Sequence, residues 1–240
     1  MILVSGNGIL ASELLKLSTD DLPIRILSKK EMDITDEYIV SDVIKSFMMK
    51  SDFPKYFVHT AALTKPMRVN DKNPIMSMST NIVGTANVAR ICYKYGIKFI
   101  YISTDFVYDS EKVYRGKWTP GVYEESKVKP SNNYGWSKLG GECITRLIPD
   151  SLILRCSLCD IPFRHKFAFE DVYRNSITHT DVADIIVKIK DEVGIINVGG
   201  EYQSVYDFVS KHQKIKKASG SHLAPSLNLS VDKLMSIIDE

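Results

Sequence analysis

Short apolar runs alternate with longer amphipathic stretches along most of the chain. Ile2–Ser5, Ile24–Leu27, Tyr56–His59, Lys98–Ser103 and Leu152–Arg155 are rich in β-branched and aromatic residues, which predicts strands. The intervals around residues 9–18, 36–50, 74–95 and 134–148 carry helical spacing instead. Strand and helix in this repeated order demand right-handed crossovers, so the pattern predicts an α/β fold with a doubly wound parallel sheet. Beyond residue 157 the rhythm weakens: a helix near 181–192, a strand Gly194–Val198, a helix near 204–212 and a last helix from Ser230 are expected. Residues 109–133 read as a long loop over the carboxyl ends of the strands, and 160–180 as too short for an independent domain.

The turn after the first strand reads Gly6-Asn7-Gly8-Ile9-Leu10-Ala11, a GxGxxA that opens the first helix. Gly6 suits a tight turn, Gly8 lets backbone approach a pyrophosphate, and Ala11 permits close helix packing, with the phosphate at the positive helix end. At the end of the second strand, where an NAD site carries an acidic residue, stand Ser28, Lys29 and Lys30. A hydroxyl and two ammonium groups would pair with a 2′-phosphate, so NADP(H) is expected in preference to NAD(H). Asp33 and Ile34 follow and would border the adenine.

Tyr134 and Lys138 lie four residues apart in Tyr134-Gly135-Trp136-Ser137-Lys138, on one face of a helix. A nearby ammonium favours the phenolate, so the Tyr134 hydroxyl is expected to titrate below its usual range, toward working pH. Ser103-Thr104-Asp105 ends the strand before it, and Thr104 is placed to hydrogen-bond the substrate oxygen whose proton Tyr134 handles.

Composition narrows the classes further. With 240 residues, 44% apolar and 25% charged, the chain can bury a full core, and a net charge of +2 gives no nucleic-acid footprint. The basic run Lys211, Lys214, Lys216 and Lys217 reads as a solvated face. No apolar stretch approaches the ~20 residues that span a bilayer and no basic leader precedes Ile2, so a cytoplasmic protein without membrane partner is expected. Cys156 and Cys159 form a CxxC, but it follows a strand and lacks two further ligands nearby, so no metal site is expected.

These motifs resemble the extended short-chain dehydrogenase/reductase family, within it the dTDP-4-dehydrorhamnose reductase branch. The resemblance runs through GNGILA at the start, MDITD at 32–36, HTAALT at 59–64, Asn81 in TNIVGT, YISTDFVY at 101–108, YGWSK at 134–138, LRCS at 154–157, HTDVADII at 179–186 and APSLNLSVDKL at 224–234. It implies a Rossmann NAD(P)-binding domain over residues 1–157, and a reduced substrate-binding part over 158–240 interleaved with the sheet as one compact unit. Thr104, Tyr134 and Lys138 would be the catalytic set, with Asp105 an auxiliary acid. Gly6, Gly8, Ile9, Leu10, Asp33, Ile34, Ala61, Ala62, Leu63 and Asn81 would line the cofactor. The implied reaction is NADPH-dependent reduction of a 4-keto-6-deoxy nucleotide sugar.

The sequence departs from the family in three places. Phe106 stands where related 4,6-dehydratases carry a glutamate base, which argues against dehydration. The stretch between LRCS and HTDVADII is short, and Leu223-Ala224-Pro225 lacks the arginine that usually precedes the proline; Arg155, Arg164 or Lys166 are candidates to replace that diphosphate clamp. Two other readings therefore stay open: a sugar-nucleotide epimerase or bifunctional epimerase/reductase, and an NADP-binding regulatory subunit like that of methionine adenosyltransferase. The histidines are expected to be satisfied or solvent-facing. Val88, Ile91, Tyr93 and Tyr95 share helical spacing and are expected in the core in preference to a homodimer seam.

Overall fold

A computed structural model describes residues 1–50, 52–64, 68–108, 119–220 and 224–239. The chain begins β1 (Ile2–Ser5), α1 (Ile9–Lys16), β2 (Ile24–Leu27), α2 (Glu37–Met48) and β3 (Tyr56–His59). It continues through α3 (Arg68–Lys72), α4 (Pro74–Met78), a π-helical turn Ser79–Val83, α5 (Gly84–Lys94) and β4 (Lys98–Thr104). A 3-10 turn Asp105–Val107, β5 (Gly121–Val122), α6 (Asn133–Thr145) and β6 (Leu152–Cys156) follow. The remainder holds β7 (Phe167–Phe169), β8 (Tyr173–Arg174), α7 (His179–Ile189), β9 (Gly194–Val198), β10 (Gln203–Ser204), α8 (Val205–Ser210), β11 (Lys216–Ala218), β12 (Asn228–Leu229) and α9 (Asp232–Ile238).

Six strands form one parallel sheet in the order β2-β1-β3-β4-β6-β9. Alternate residues of each strand face opposite sides, and both sides are covered. Ile2 and Val4 pack with Leu10 and Leu14 of α1 and Val182 and Ile186 of α7. Leu3, Phe57 and Phe99 pack with Val40 and Ile44 of α2 and Val88 and Ile91 of α5. Chain direction across the sheet reverses between β1 and β3, which opens a crevice at their carboxyl ends.

The single helix expected at 74–95 is interrupted. Its middle widens into the π turn at residues 79–83, which carries Asn81, a kind of bulge common at functional sites. Tyr93 is exposed and so leaves the core that Val88 and Ile91 join. The stretch 160–180, short as it is, supplies β7 and β8, paired with β11 and β10. Within the expected loop 109–133, β5 pairs with β12 of the closing segment; residues 109–118, and Leu223 and His222 farther on, lie outside the described residues. Among the described residues no helix is long and apolar enough to cross a membrane.

Under the carboxyl ends of β4 and β6 lies a buried ion pair. Arg155 Nη2 is 2.7 Å from Glu142 Oε2, with the side chains 2% and 1% exposed. Ser103 Oγ donates to Glu142 at 2.5 Å, and Arg155 Nη1 donates to the Tyr108 hydroxyl and the Glu124 carbonyl, each at 3.0 Å. The Tyr108 hydroxyl donates to Asn197 Oδ1, and the Asn197 N–H to Glu124 Oε1. β4, β6 and β9 are thereby tied to α6. Arg155→Met leaves Glu142 buried without its cation and is expected to cost about 3–5 kcal/mol in urea denaturation, against a much smaller loss for Glu142→Leu/Arg155→Met. Equal losses for the single and double variants would contradict this account.

Candidate active site

Gly6 has φ of +90°, and a Cβ there would lie 3.1 Å from the Ala61 Cα, so the turn after β1 needs glycine twice over. A Cβ on Gly8 would meet nothing within 4 Å, because that residue faces an open groove at the head of α1. The groove, about 310 Å³, is lined on one side by Gly6, Asn7, Gly8, Lys29, Met32, Asp33, Ile34 and Thr35. Thr60, Ala61, Ala62, Thr64 and Thr80 line the other. A phosphate-bearing ligand fits this chemistry: bare backbone at a helix N-terminus with an ammonium at the rim.

Not every expected residue joins the groove. Leu10 is buried in the core beneath the sheet, and Ile9 is half-buried at the start of α1. Leu63 and Asn81 lie deeper, joined by hydrogen bonds from Leu63 N–H to Asn81 Oδ1 (2.7 Å) and from Asn81 Nδ2 to the Leu63 carbonyl (3.2 Å). The basic turn after β2 is less bare than the sequence predicts. Glu31 folds back onto it, accepting from the Ser28 N–H (2.9 Å), the Ser28 hydroxyl (2.7 Å) and Arg25 (2.5 Å). Those bonds from Ser28 hold the Glu31 carboxyl below its ordinary range. The Ser28 hydroxyl is thus already engaged, Lys29 pairs with Asp33 at 3.5 Å, and Lys30 is exposed outside the groove lining.

The residues expected to be catalytic meet where β4 ends. Asn132 caps α6 by accepting from the Gly135 N–H, and a Cβ on Gly135 would fall 2.5 Å from the Phe106 carbonyl oxygen and 2.8 Å from Pro130. That close approach seats the head of α6 on the turn after β4 and brings Tyr134 beside Thr104. The rings of Tyr134 and Phe106 meet edge to face at 6.2 Å. Asn81 Nδ2 donates to Ser137 Oγ (2.8 Å), and that hydroxyl donates to the Tyr134 carbonyl (2.8 Å). The π turn is in this way bonded to α6, a link that Ser137, overlooked in the sequence, completes.

The titration of the pair differs from expectation. Burial pushes the Tyr134 hydroxyl above its ordinary range, the Asp105 carboxylate adds to that, and a hydrogen bond with Thr104 works the other way. Lys138 is 3% exposed, and its Nζ sits 4.2 Å over the Tyr101 ring. Burial pulls it down to about 7, against the upward pull of Glu142. Desolvation thus outweighs the ammonium–phenolate attraction that the spacing alone suggests.

Asp105 is buried with its carboxylate engaged: Oδ1 accepts from Thr104 at 3.2 Å, and Oδ2 from Ser157 and Arg174, each at 2.9 Å. Arg174 carried no signal in the sequence, since its strand is only two residues long. Of the arginines considered for the missing clamp, Arg155 is consumed by Glu142, and Arg164 pairs with Asp160 at 3.5 Å. His59 is fully buried between Ser5 (2.7 Å) and Thr85 (3.1 Å), and burial lowers it to about 3.

The family described as the RmlD substrate binding domain matches residues 1–159. The chain belongs to that family. It is 26% identical over 209 residues to a dTDP-4-dehydrorhamnose reductase of Aggregatibacter actinomycetemcomitans, covering 85% of this chain and 65% of that protein. It is 31% identical over 111 residues to methionine adenosyltransferase 2 subunit beta of Xenopus laevis, covering 46% and 29%. The chain spans less than two thirds of the length of either relative. A solved dTDP-4-dehydrorhamnose reductase of Bacillus anthracis, in complex with NADP, shares the fold at TM-score 0.79 and 21% identity, covering 98% of this chain and 92% of that one.

The depressed Lys138 has a measurable consequence. Its folded pKa lies below its unfolded one, so the folded state binds fewer protons between about pH 7 and 10.5, and stability rises with pH there. The stability of the cofactor-free wild type relative to Lys138→Met is expected to increase from pH 7 to pH 10 in urea denaturation. A difference that is flat or falls over that range would contradict the buried ammonium.

Proposed function

We propose that this chain is an NADPH-dependent reductase of a 4-keto-6-deoxy nucleotide sugar. The observation that carries the reading is the gathering of Thr104, Tyr134 and Lys138 at the carboxyl end of β4, bonded through Asn81 to the rim of a glycine-lined groove. Bound NADPH supplies hydride to the carbonyl carbon. The neutral Tyr134 phenol donates its proton to the carbonyl oxygen, and the Thr104 hydroxyl orients that oxygen. A phenol held above its ordinary range is the protonated species at neutral pH, as a proton donor must be. Phe106 offers no proton acceptor beside it, so dehydration is not part of the reading.

Absorbance of NADPH followed against a panel of 4-keto-6-deoxy nucleotide sugars tests the proposal. Oxidation is expected with at least one sugar, and Tyr134→Phe is expected to lower kcat by about 10²-fold or more while cofactor affinity holds within a few-fold. Survival of activity in Tyr134→Phe would remove the assignment. Cofactor binding without turnover across the panel would favour a regulatory subunit, a second reading supported by the likeness to methionine adenosyltransferase 2 subunit beta.

The groove also separates two lysines that the sequence treats alike. Lys29 lines it and Lys30 does not, so Lys29→Ala is expected to weaken NADPH more than NADH, and Lys30→Ala to change the ratio less. Isothermal titration of both cofactors decides this, and equal losses of NADPH and NADH in Lys29→Ala would remove the 2′-phosphate argument.

A further inference from the structure

We propose that Arg174 is a positioning residue for proton transfer: its ion pair with Asp105 fixes the Thr104 hydroxyl where the sugar carbonyl oxygen is received. The inference rests on the reductase reading above and deepens it.

Arg174 comes from β8, in the short stretch that leaves little room for a sugar domain, yet its guanidinium reaches three parts of the site. Nη1 donates to Asp105 Oδ2 at 2.9 Å, and Nη2 lies 3.5 Å from the Pro225 carbonyl of the closing segment. The guanidinium also sits 5.0 Å over the Phe106 ring, which in turn meets the edge of the Tyr134 ring.

Asp105 is 4% exposed in its side chain and Arg174 15%, so the carboxylate is a desolvated anion with its cation beside it. With Oδ2 taken by Arg174 and Ser157, only Oδ1 is left to Thr104, whose Oγ1 donates to it at 3.2 Å while accepting from the Phe106 N–H at 3.3 Å. A hydroxyl has one proton, so Thr104 at rest gives it to Asp105 Oδ1 and must turn it to the sugar oxygen when substrate is received, its own oxygen held in place by the Phe106 N–H. With its charge balanced by Arg174 the Asp105 carboxylate releases that proton readily, whereas without Arg174 it is free to turn and keeps the Thr104 proton from the sugar oxygen.

The test compares Arg174→Gln, Arg174→Lys, Asp105→Asn and Arg174→Gln/Asp105→Asn with wild type on a sugar that the wild type reduces, measuring kcat, KM and NADPH affinity. Misplacement of a reacting group predicts a kcat loss of about 10- to 100-fold in Arg174→Gln, with KM and NADPH affinity changed by less than about threefold. Arg174→Lys is expected to recover part of kcat, and Arg174→Gln on the Asp105→Asn background to cost nothing further. Unchanged kcat, a loss confined to KM, or losses that multiply in the double variant would each overturn the inference while leaving the reductase reading intact. A wild type that reduces none of the panel removes both. Should Arg174→Gln fail to fold, the double variant against Asp105→Asn carries the same comparison, with both buried charges removed together.

Discussion

The candidate site of this molecule hangs on a charge pair taken wholly out of water. Glu142 lies one turn of α6 beyond Lys138, Arg155 is in β6, and Ser103, which donates to Glu142, immediately precedes Thr104. The helix bearing Tyr134 and Lys138 is therefore locked to the strand bearing Thr104 by groups whose partners are set by charge and geometry. An apolar contact of the same area would hold the two elements together without fixing their register so closely. Desolvating two ions is expensive, and the bonds from Ser103, and to Tyr108 and the Glu124 carbonyl, offset it by giving the buried polar atoms further partners.

That burial also governs the chemistry. Excluding water raises Tyr134 and lowers Lys138 together, so neither favours its charged form at neutral pH as strongly as it would in solvent. The outcome suits the proposed reduction better than the phenolate inferred from spacing alone, since protonating a carbonyl oxygen requires a phenol that still holds its proton. Asp105 works in the same sense, its carboxylate pushing Tyr134 further up while Arg174 balances its charge.

The doubly wound sheet was legible because its signal is local: alternating periods, a GxGxxA turn and a strand ending in Ser-Thr-Asp each specify a conformation within a few residues. The placing of Thr104 at a strand end and of Tyr134 and Lys138 on one helix was legible for the same reason. Arg174 and Glu31 were not. Arg174 acts from a two-residue strand held by β10 on one side and Leu227 on the other, and no period of hydrophobicity marks such a ladder. Glu31 acts by folding back three residues onto Ser28, so a basic tripeptide in one dimension becomes a mixed-charge turn in three. Arg155 was misjudged as a clamp for a related reason, since its cation is visible in sequence and its buried partner thirteen residues away is not.

The short carboxyl-terminal part gives the same lesson in its own architecture. It builds no extensive sheet, relying on two- and three-residue ladders that pair segments distant in the chain: β5 with β12, β7 with β11, β8 with β10. Such ladders contribute few hydrogen bonds each, so their placement rests on anchors to the main sheet. Asn175 is one, its Oδ1 accepting from the Leu229 N–H at 2.7 Å and its Nδ2 donating to the Gly200 carbonyl at 2.9 Å. Asp105 is another, and it is the anchor that touches Thr104. A segment whose own apolar cluster is small, gathered around Ala168, Phe208 and Val209, is thus held to the main sheet through the Asp105–Arg174 pair, and in return brings a guanidinium to the candidate site.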